Sequence, residues 1–443
     1  MSDELKNEQE EHNEKTPESA PQDSPKEPEE QYSFLQETIK DEQKSGKKVF
    51  GAIWRVAGRG LIFGVAACVA FCVLKPWLET KLNGNPGEVT IPKDENTDEE
   101  DAADADKDAQ TEEEPVQPAL TIESYHAMSR ELYQVAVTAS KSVVEVTGTK
   151  GDESWEDASF DNKNSVSGVI CADNGVELLI LSPARVTKDA QTLSVMFTDN
   201  QTYAATVKKQ DKNLGIAVIS VARSEISDST WGQVQVATLG NSNIVNRGDS
   251  VISLGKQFGY AGGLGYGVIS SVRNKVAAAD GEYRLLTTDI GAVEEGSGIL
   301  FNLNGEVIGL EDQTISDGSS QAFTTAYAIS DMKEYIERLS NGKAVSYLGV
   351  RGVEVTDDIS EQQQIPKGIY VKEVEADSPA MKAGIQSGDV ITAIGKNKVA
   401  TLSGYGKQLL EYEVGEQVRV YGQRQGSSGY IDIDFSVTIG SRE

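Results

Sequence analysis

Histidine is almost missing from this chain: His12 and His126 are the only two among 443 residues. Imidazole is the side chain best suited to take a proton at neutral pH, so any chemistry that needs one must find it at position 12 or 126. Cysteine is scarce as well. Cys68, Cys72 and Cys171 exclude a disulfide framework and a cysteine-built structural zinc site, since either needs properly spaced thiols within one folded domain. No metal site and no cofactor are expected. Positive charge is also short: 41 Lys and Arg face 70 Asp and Glu, a net charge of −29. That balance argues against unaided binding to nucleic acid or to anionic lipid headgroups.

What is present divides the chain into segments. Residues 1–48 hold 14 acidic and 7 basic residues, with Pro17, Pro21, Pro25 and Pro28 and almost no aliphatics. Such a mixture cannot bury enough apolar surface to offset chain entropy, so a disordered acidic tail is expected. From Gly60 to Leu74 there is no charge, and with Ala52-Ile53-Trp54 before it and Trp77-Leu78 after it the run over 52–78 reaches the length of a membrane-spanning helix. Lys44, Lys47, Lys48, Arg55 and Arg59 precede it and mainly acidic sequence follows, which places the N-terminus in the cytoplasm and the rest of the chain outside. A cleaved signal peptide or a lipid attached at Cys68 fits less well, because the apolar run continues past Cys68. Residues 79–120 carry 14 acids, 3 lysines and four prolines and read as an extended acidic stalk. The run lacks the glycine and terminal glutamate of a calcium loop.

Beyond Leu120 the texture changes to short Val- and Ile-rich runs separated by Gly, Asn and Asp, which indicates an all-β domain over 121–340. A helix over 331–339 closes it, with Ser330 as the expected N-cap. After Asn341-Gly342 a compact α+β unit follows over 346–440, with helices expected at 378–383 and 402–411. Its motifs are Tyr347-Leu348-Gly349-Val350, Gly368-Ile369-Tyr370-Val371, Asp377-Ser378-Pro379-Ala380 and Gly388-Asp389-Val390-Ile391. This unit resembles the PDZ domain of HtrA/Deg-family serine proteases. A loop entering a strand in this way offers successive backbone N–H groups to a peptide carboxylate, and the strand edge pairs with an extended ligand. Tyr347, Leu348, Gly349 and Val350 with Tyr405 and Leu409 are the expected peptide-binding residues.

The β-rich unit resembles the trypsin-like domain of the same family through Ser165-Val166-Ser167-Gly168-Val169-Ile170, residues 248–255, 267–272, Thr288-Asp289 and Asn302-Leu303-Asn304-Gly305. The resemblance implies a mainly β protein: a trypsin-like double β-barrel, six strands in each barrel, followed by an α+β PDZ domain. It also implies a crevice between the barrels and a homotrimer. The catalytic residues do not carry over. Arg185 stands where the family's catalytic histidine belongs, Gly215 where its aspartate belongs, and Ser297 alone resembles the nucleophile, in a loop one residue short. A guanidinium with a pKa above about 12 accepts no proton at neutral pH, so Ser297 is a vestigial nucleophile. No lysine falls within the crevice-lining motifs. Glu294 and Glu295 add negative charge near Ser297, the sequence does not show whether either pairs with Arg185, and Asp211 reads as a turn residue.

The expectation is a single-pass cell-membrane protein without protease activity. It captures unfolded or C-terminal peptide segments of extracytoplasmic proteins through its PDZ domain, as adaptor, sensor or holdase. The alternatives are an active serine endopeptidase with a non-standard arrangement and an envelope scaffold with no peptide-binding role.

Overall fold

The computed structural model describes residues 87–94, 121–150, 164–315 and 322–442. The tail at 1–48 and the apolar run at 52–78 lie outside them. Among the described residues no helix is long and apolar enough to cross a membrane.

The β-rich region opens on a helix that the sequence reading missed, α1 (Ile122–Ser140). Thr121 and Ser124 cap it reciprocally, each hydroxyl accepting from the other's backbone N–H, which satisfies donors that a helix start leaves over. Its apolar residues give no clear stripe: only Ala136 and Ala139 are buried, while Ile122, Tyr125, Met128 and Tyr133 stay more than half exposed.

Two closed barrels follow. The first holds β1 (Val143–Thr149), β2 (Ser165–Asp173), β3 (Glu177–Pro183), β4 (Thr192–Met196), β5 (Thr202–Asp211) and β6 (Ile216–Ala222), in the order β1-β2-β3-β6-β5-β4. After a short helix, α2 (Asp228–Trp231), the second holds β7 (Ser250–Gly255), β8 (Gly263–Ala278), β9 (Gly281–Gly291), β10 (Ser297–Phe301), β11 (Val307–Asp312) and β12 (Phe323–Ala328), closing as β10-β11-β12-β9-β8-β7. The two six-stranded barrels are as expected. Strand β3 explains its own uninterrupted apolar run: Leu178 and Ile180 fill the first barrel, whereas Leu179 and Leu181 face the core shared by the barrels and the closing helix. A strand buried on both faces has no polar face to alternate with.

That closing helix, α3 (Ile329–Ser340), buries Met332, Ile336 and Leu339 at helical spacing. Its N-cap is Ala328, without a side-chain cap, so the expected Ser330 cap is corrected. Ser330 instead joins two distant segments, its hydroxyl accepting from the Ser242 N–H at 2.8 Å and donating to Asp94 at 2.6 Å. Asp94 belongs to a stretch read as stalk, and here too the structure differs: residues 87–94 dock along α3. Val89 and Ile91 are buried, the Val89 N–H and carbonyl both bond the Asn341 side-chain amide, and the Lys333 ammonium donates to Asp94 at 2.9 Å. Two apolar residues spaced by one, in an extended chain, place both on the face that meets the helix, which overrides the acidity around them. Asp94→Ala strands the buried Lys333 ammonium and is expected to cost about 1–2 kcal/mol, read as a lower midpoint in urea.

The C-terminal unit contains β13 (Ser346–Tyr347), β14 (Val350–Glu354), α4 (Asp357–Gln363), β15 (Ile369–Val374), α5 (Pro379–Ala383), β16 (Val390–Ile394), β17 (Asn397–Lys398), α6 (Leu402–Leu410), β18 (Gln417–Gly426), β19 (Gly429–Thr438) and β20 (Gly440–Ser441). The sheet runs β14-β15-β16-β18-β19 with β17 on β16, and β13 pairs with β20. Ser378 and Thr401 cap α5 and α6, near the expected helix starts; α4 was not foreseen. Its own core includes Leu348, Val350, Ile369, Tyr405 and Leu409.

Candidate functional site

Arg185 lies in a turn of 3-10 helix (Ala184–Thr187) directly after β3. Its Nη2 donates to the Glu295 carbonyl at 2.7 Å, and its Nε stands 3.5 Å from the Asp312 carboxylate. The guanidinium thus leaves the first barrel and meets the second. The sequence left open whether Arg185 pairs with Glu294 or Glu295; both side chains are exposed, whereas Asp312 is buried at the end of β11. Burial holds the Asp312 carboxyl above its ordinary range, opposed by Arg185 and by the Thr314 hydroxyl and N–H.

Ser297 begins β10 and is fully buried. Its hydroxyl accepts from the Ser167 N–H of β2 at 2.9 Å, and its carbonyl accepts from the Ser167 hydroxyl at 3.1 Å and the Lys256 N–H at 2.7 Å. The crevice is shut at this point by hydrogen bonds between β2 and β10. The N–H of Gly296, just before the serine, is turned onto the Val293 carbonyl at 2.8 Å. Close contact here requires glycine: an added Cβ on Gly255 would meet the Ser167 hydroxyl at 2.3 Å, and one on Gly298 would meet Glu311 at 2.4 Å.

A lysine does reach this region, contrary to expectation. Lys256 follows Gly255, the last residue of a recognised motif, and is buried; counting one residue further would have found it. Its ammonium donates to the Ser165 hydroxyl, and that hydroxyl donates to Glu145 at 2.7 Å. Desolvation pushes the Lys256 pKa down, partly opposed by Glu145.

Gly215 sits at φ 71°, bonded through its carbonyl to the Ala184 N–H at 2.7 Å and through its N–H to the Asp211 carbonyl at 2.9 Å. Asp211 is the turn residue expected, one carboxylate oxygen accepting from the Asn213 and Leu214 N–H groups; burial raises its pKa to about 6. The fold therefore assembles Arg185, Gly215 and Ser297 along one seam between the barrels. His126, the only histidine among the described residues, is exposed on α1 beside Tyr125.

The loop before β14 behaves as its chemistry suggests but is already filled. The N–H groups of Leu348 and Gly349 donate at 2.7 Å to one oxygen of Asp280, and Val350 donates at 3.0 Å to the other. The Tyr405 hydroxyl adds a fourth bond at 2.8 Å. Asp280 comes from the two-residue turn between β8 and β9 and is buried. Sequence reasoning missed it, because Ala279-Asp280-Gly281 reads as an ordinary hairpin tip. Burial dominates its carboxyl and holds the pKa above the ordinary range, with the three N–H groups and Tyr405 opposing. Leu409 lies beside it, lining a small cavity with Asp211 and Tyr335. Tyr347 points elsewhere, its hydroxyl donating to Glu375 at 2.7 Å. The loop's N–H groups were expected to receive a peptide carboxylate; in this structure they are satisfied by a carboxylate of the same chain.

Two six-stranded barrels that meet along a seam, followed by a domain whose loop receives a carboxylate, define a trypsin-like protein with a PDZ domain. Family models agree: a trypsin-like peptidase domain matches residues 166–310 and a PDZ domain residues 346–434. The chain is 28% identical to the serine protease Do-like HtrB of Bacillus subtilis (strain 168), over 59% of this chain and 60% of that protein. It is 26% identical to the serine protease Do-like HtrA of Lactococcus lactis subsp. cremoris (strain MG1363), over 67% of this chain and 76% of that one. Among solved structures it is similar to the HtrA-type protease AlgW with decapeptide, at TM-score 0.51 and 22% identity over 70% of this chain and 99% of that chain. The same protease with tripeptide gives a TM-score of 0.50 over 70% and 97%. In its two matched domains and their order the chain is similar to proteins of the HtrA family.

Proposed function

We propose that this chain is a membrane-anchored HtrA-family pseudoprotease that holds extended or C-terminal peptide segments of extracytoplasmic proteins through its PDZ domain. The observation that carries the loss of activity is Ser297: buried, its hydroxyl accepts from the Ser167 N–H, while the position of the base is a guanidinium bonded across the crevice. A serine attacks only when a neighbouring base takes its proton, and neither Arg185 nor Gly215 supplies or orients one. A lysine base is the remaining route to an active endopeptidase, and the Lys256 ammonium donates to Ser165.

Peptide capture is supported by the three N–H groups converging on a carboxylate, the geometry that receives a chain terminus, and by the peptide-bound AlgW relatives of the same fold. The anchor reading rests on the apolar run at 52–78 and the basic residues before it. A homotrimer is the assembly the family resemblance favours.

A fluorophosphonate probe and casein digestion test the reading on the full chain. Wild type, Ser297→Ala and the double variant Arg185→His with Gly215→Asp are all expected to stay unlabelled and inert. Labelling of wild type that disappears in Ser297→Ala would restore the endopeptidase reading.

A further inference from the structure

Hairpin tips normally sit in water, yet Ala279 and Asp280 at the tip of β8–β9 are 0% and 5% exposed. Burying a carboxylate costs several kcal/mol unless its oxygens are met by donors, and here four donors meet them: three consecutive N–H groups and one phenol. The main chain joins in, the Asp280 N–H donating to the Val350 carbonyl at 2.7 Å. That bond uses the edge of β14, the end strand of its sheet, on the side where an incoming peptide would add. Helix α6 is shaped to the turn: a Cβ on Gly406 would stand 3.1 Å from the Asp280 carbonyl.

We infer that Asp280 is a resident ligand of the loop 348–350, a side-chain carboxylate seated where a peptide's terminal carboxylate would go, so that peptide capture requires the β8–β9 tip and the PDZ domain to part. This regulation rests on the peptide-binding reading above. The tip is fixed to the first barrel, because the Asn213 side chain bonds both the Ala279 carbonyl at 2.7 Å and its N–H at 3.1 Å. The hairpin therefore stays with the barrels, and opening is a swing of the PDZ domain about the Asn341-Gly342 connection, where Gly342 has φ 70°. Among the described residues the polar bonds that oppose the swing besides the seat itself are centred on three residues: Lys212 N–H to the Arg442 carbonyl at 3.0 Å, Arg338 to the Leu410 carbonyl and, at 3.4 Å each, to the Tyr412 carbonyl and the Glu413 carboxylate, and Arg351 to the Ala277 carbonyl at 3.4 Å.

Occupation by an internal group lowers apparent affinity by the fraction of molecules that are open, so removing that group raises it by the same factor. The test uses the full chain as wild type, Asp280→Ala and the near-isosteric Asp280→Asn, with two readouts. Amide hydrogen exchange over residues 346–352 is expected to speed up at least about tenfold in Asp280→Ala. Binding of fluorescein-labelled decapeptides with free C-terminal carboxylates, followed by anisotropy, is expected to tighten about tenfold or more, while C-terminally amidated copies gain nothing. Unchanged exchange in both variants overturns the seat, whatever the peptides do. Peptides that bind all three proteins equally overturn the competition. Faster exchange with no binding to any variant supports the seat and overturns the peptide-binding reading instead. If Asp280→Ala does not fold, Asp280→Asn carries the same readouts with the volume kept and the charge removed.

Discussion

Glu311→Gln is expected to make the protein more stable than wild type at pH 8.5 and to flatten the fall of stability with pH. Glu311 lies in β11, fully buried. One carboxylate oxygen accepts from the Ser253 hydroxyl at 2.9 Å, and the other has no hydrogen-bond partner among the described residues. Burial pushes its pKa from 4.5 up to about 8, with Ser253 opposing slightly. The folded state therefore keeps a proton that the unfolded chain releases above its ordinary pKa. Unfolding becomes easier by roughly 1.4 kcal/mol per pH unit across that window, about 5 kcal/mol in total, and the penalty levels off once the folded group also ionises. Asp211, raised to about 6, has the same sign but completes its contribution by about that pH. Urea unfolding between pH 6.5 and 8.5 reads Glu311 as the difference between two proteins, since Asp280 and Asp312, also raised by burial, act alike in both: wild type loses more stability over this interval than Glu311→Gln. Equal slopes in the two proteins would show that the carboxylate is better solvated than its burial implies.

Arg185→Ala is expected to cost about 3 kcal/mol at pH 7, because it leaves the Asp312 carboxylate buried without its cation. Two Thr314 donors remain, which limits the loss. The guanidinium bridges two acceptors of the second barrel, the Glu295 carbonyl and Asp312. A lysine has a single ammonium and no planar fork, so Arg185→Lys is not expected to restore the loss. Asp312→Asn added to Arg185→Ala should recover at least half of it, since the stranded charge is gone. A double variant no more stable than Arg185→Ala alone would mean that the Glu295 bond and packing carry the effect. Restoring a histidine at 185 accordingly removes a staple between the barrels, and an aspartate at Gly215 would have to adopt φ 71°, a region that non-glycine residues occupy at a cost of about 1 kcal/mol or more.

The barrels were legible because their strands are written locally. Runs such as Ser165–Asp173 and Glu177–Pro183 carry the residue types of buried strands, and turn residues punctuate them. The proposed loss of base and orienter rests on the sequence, where position 185 and position 215 each sit in a recognisable motif. What Arg185 and Ser297 do instead was not. Ser297 meets Ser167 across 130 positions and Arg185 meets Glu295 across 110, and no local pattern encodes such pairings. Asp280 is the sharpest case. An aspartate in the left-handed region at a tip, here at φ 62° and followed by glycine, is ordinary turn chemistry, so its turn role conceals its contact with residues 348–350. Helix α1 escaped because its buried face is two alanines, leaving no apolar stripe to count, although Thr121 and Ser124 mark its start.

The docked segment 87–94 separates covalent continuity from structural continuity. Its bonds to α3 cross about 240 positions of sequence, so a cut anywhere between 95 and 120 breaks the chain without breaking the seat of Val89 and Ile91. A nicked molecule and one truncated to begin at residue 121 are then different objects: the first keeps the lysine of α3 paired and its apolar groove covered, and the second carries both into solvent.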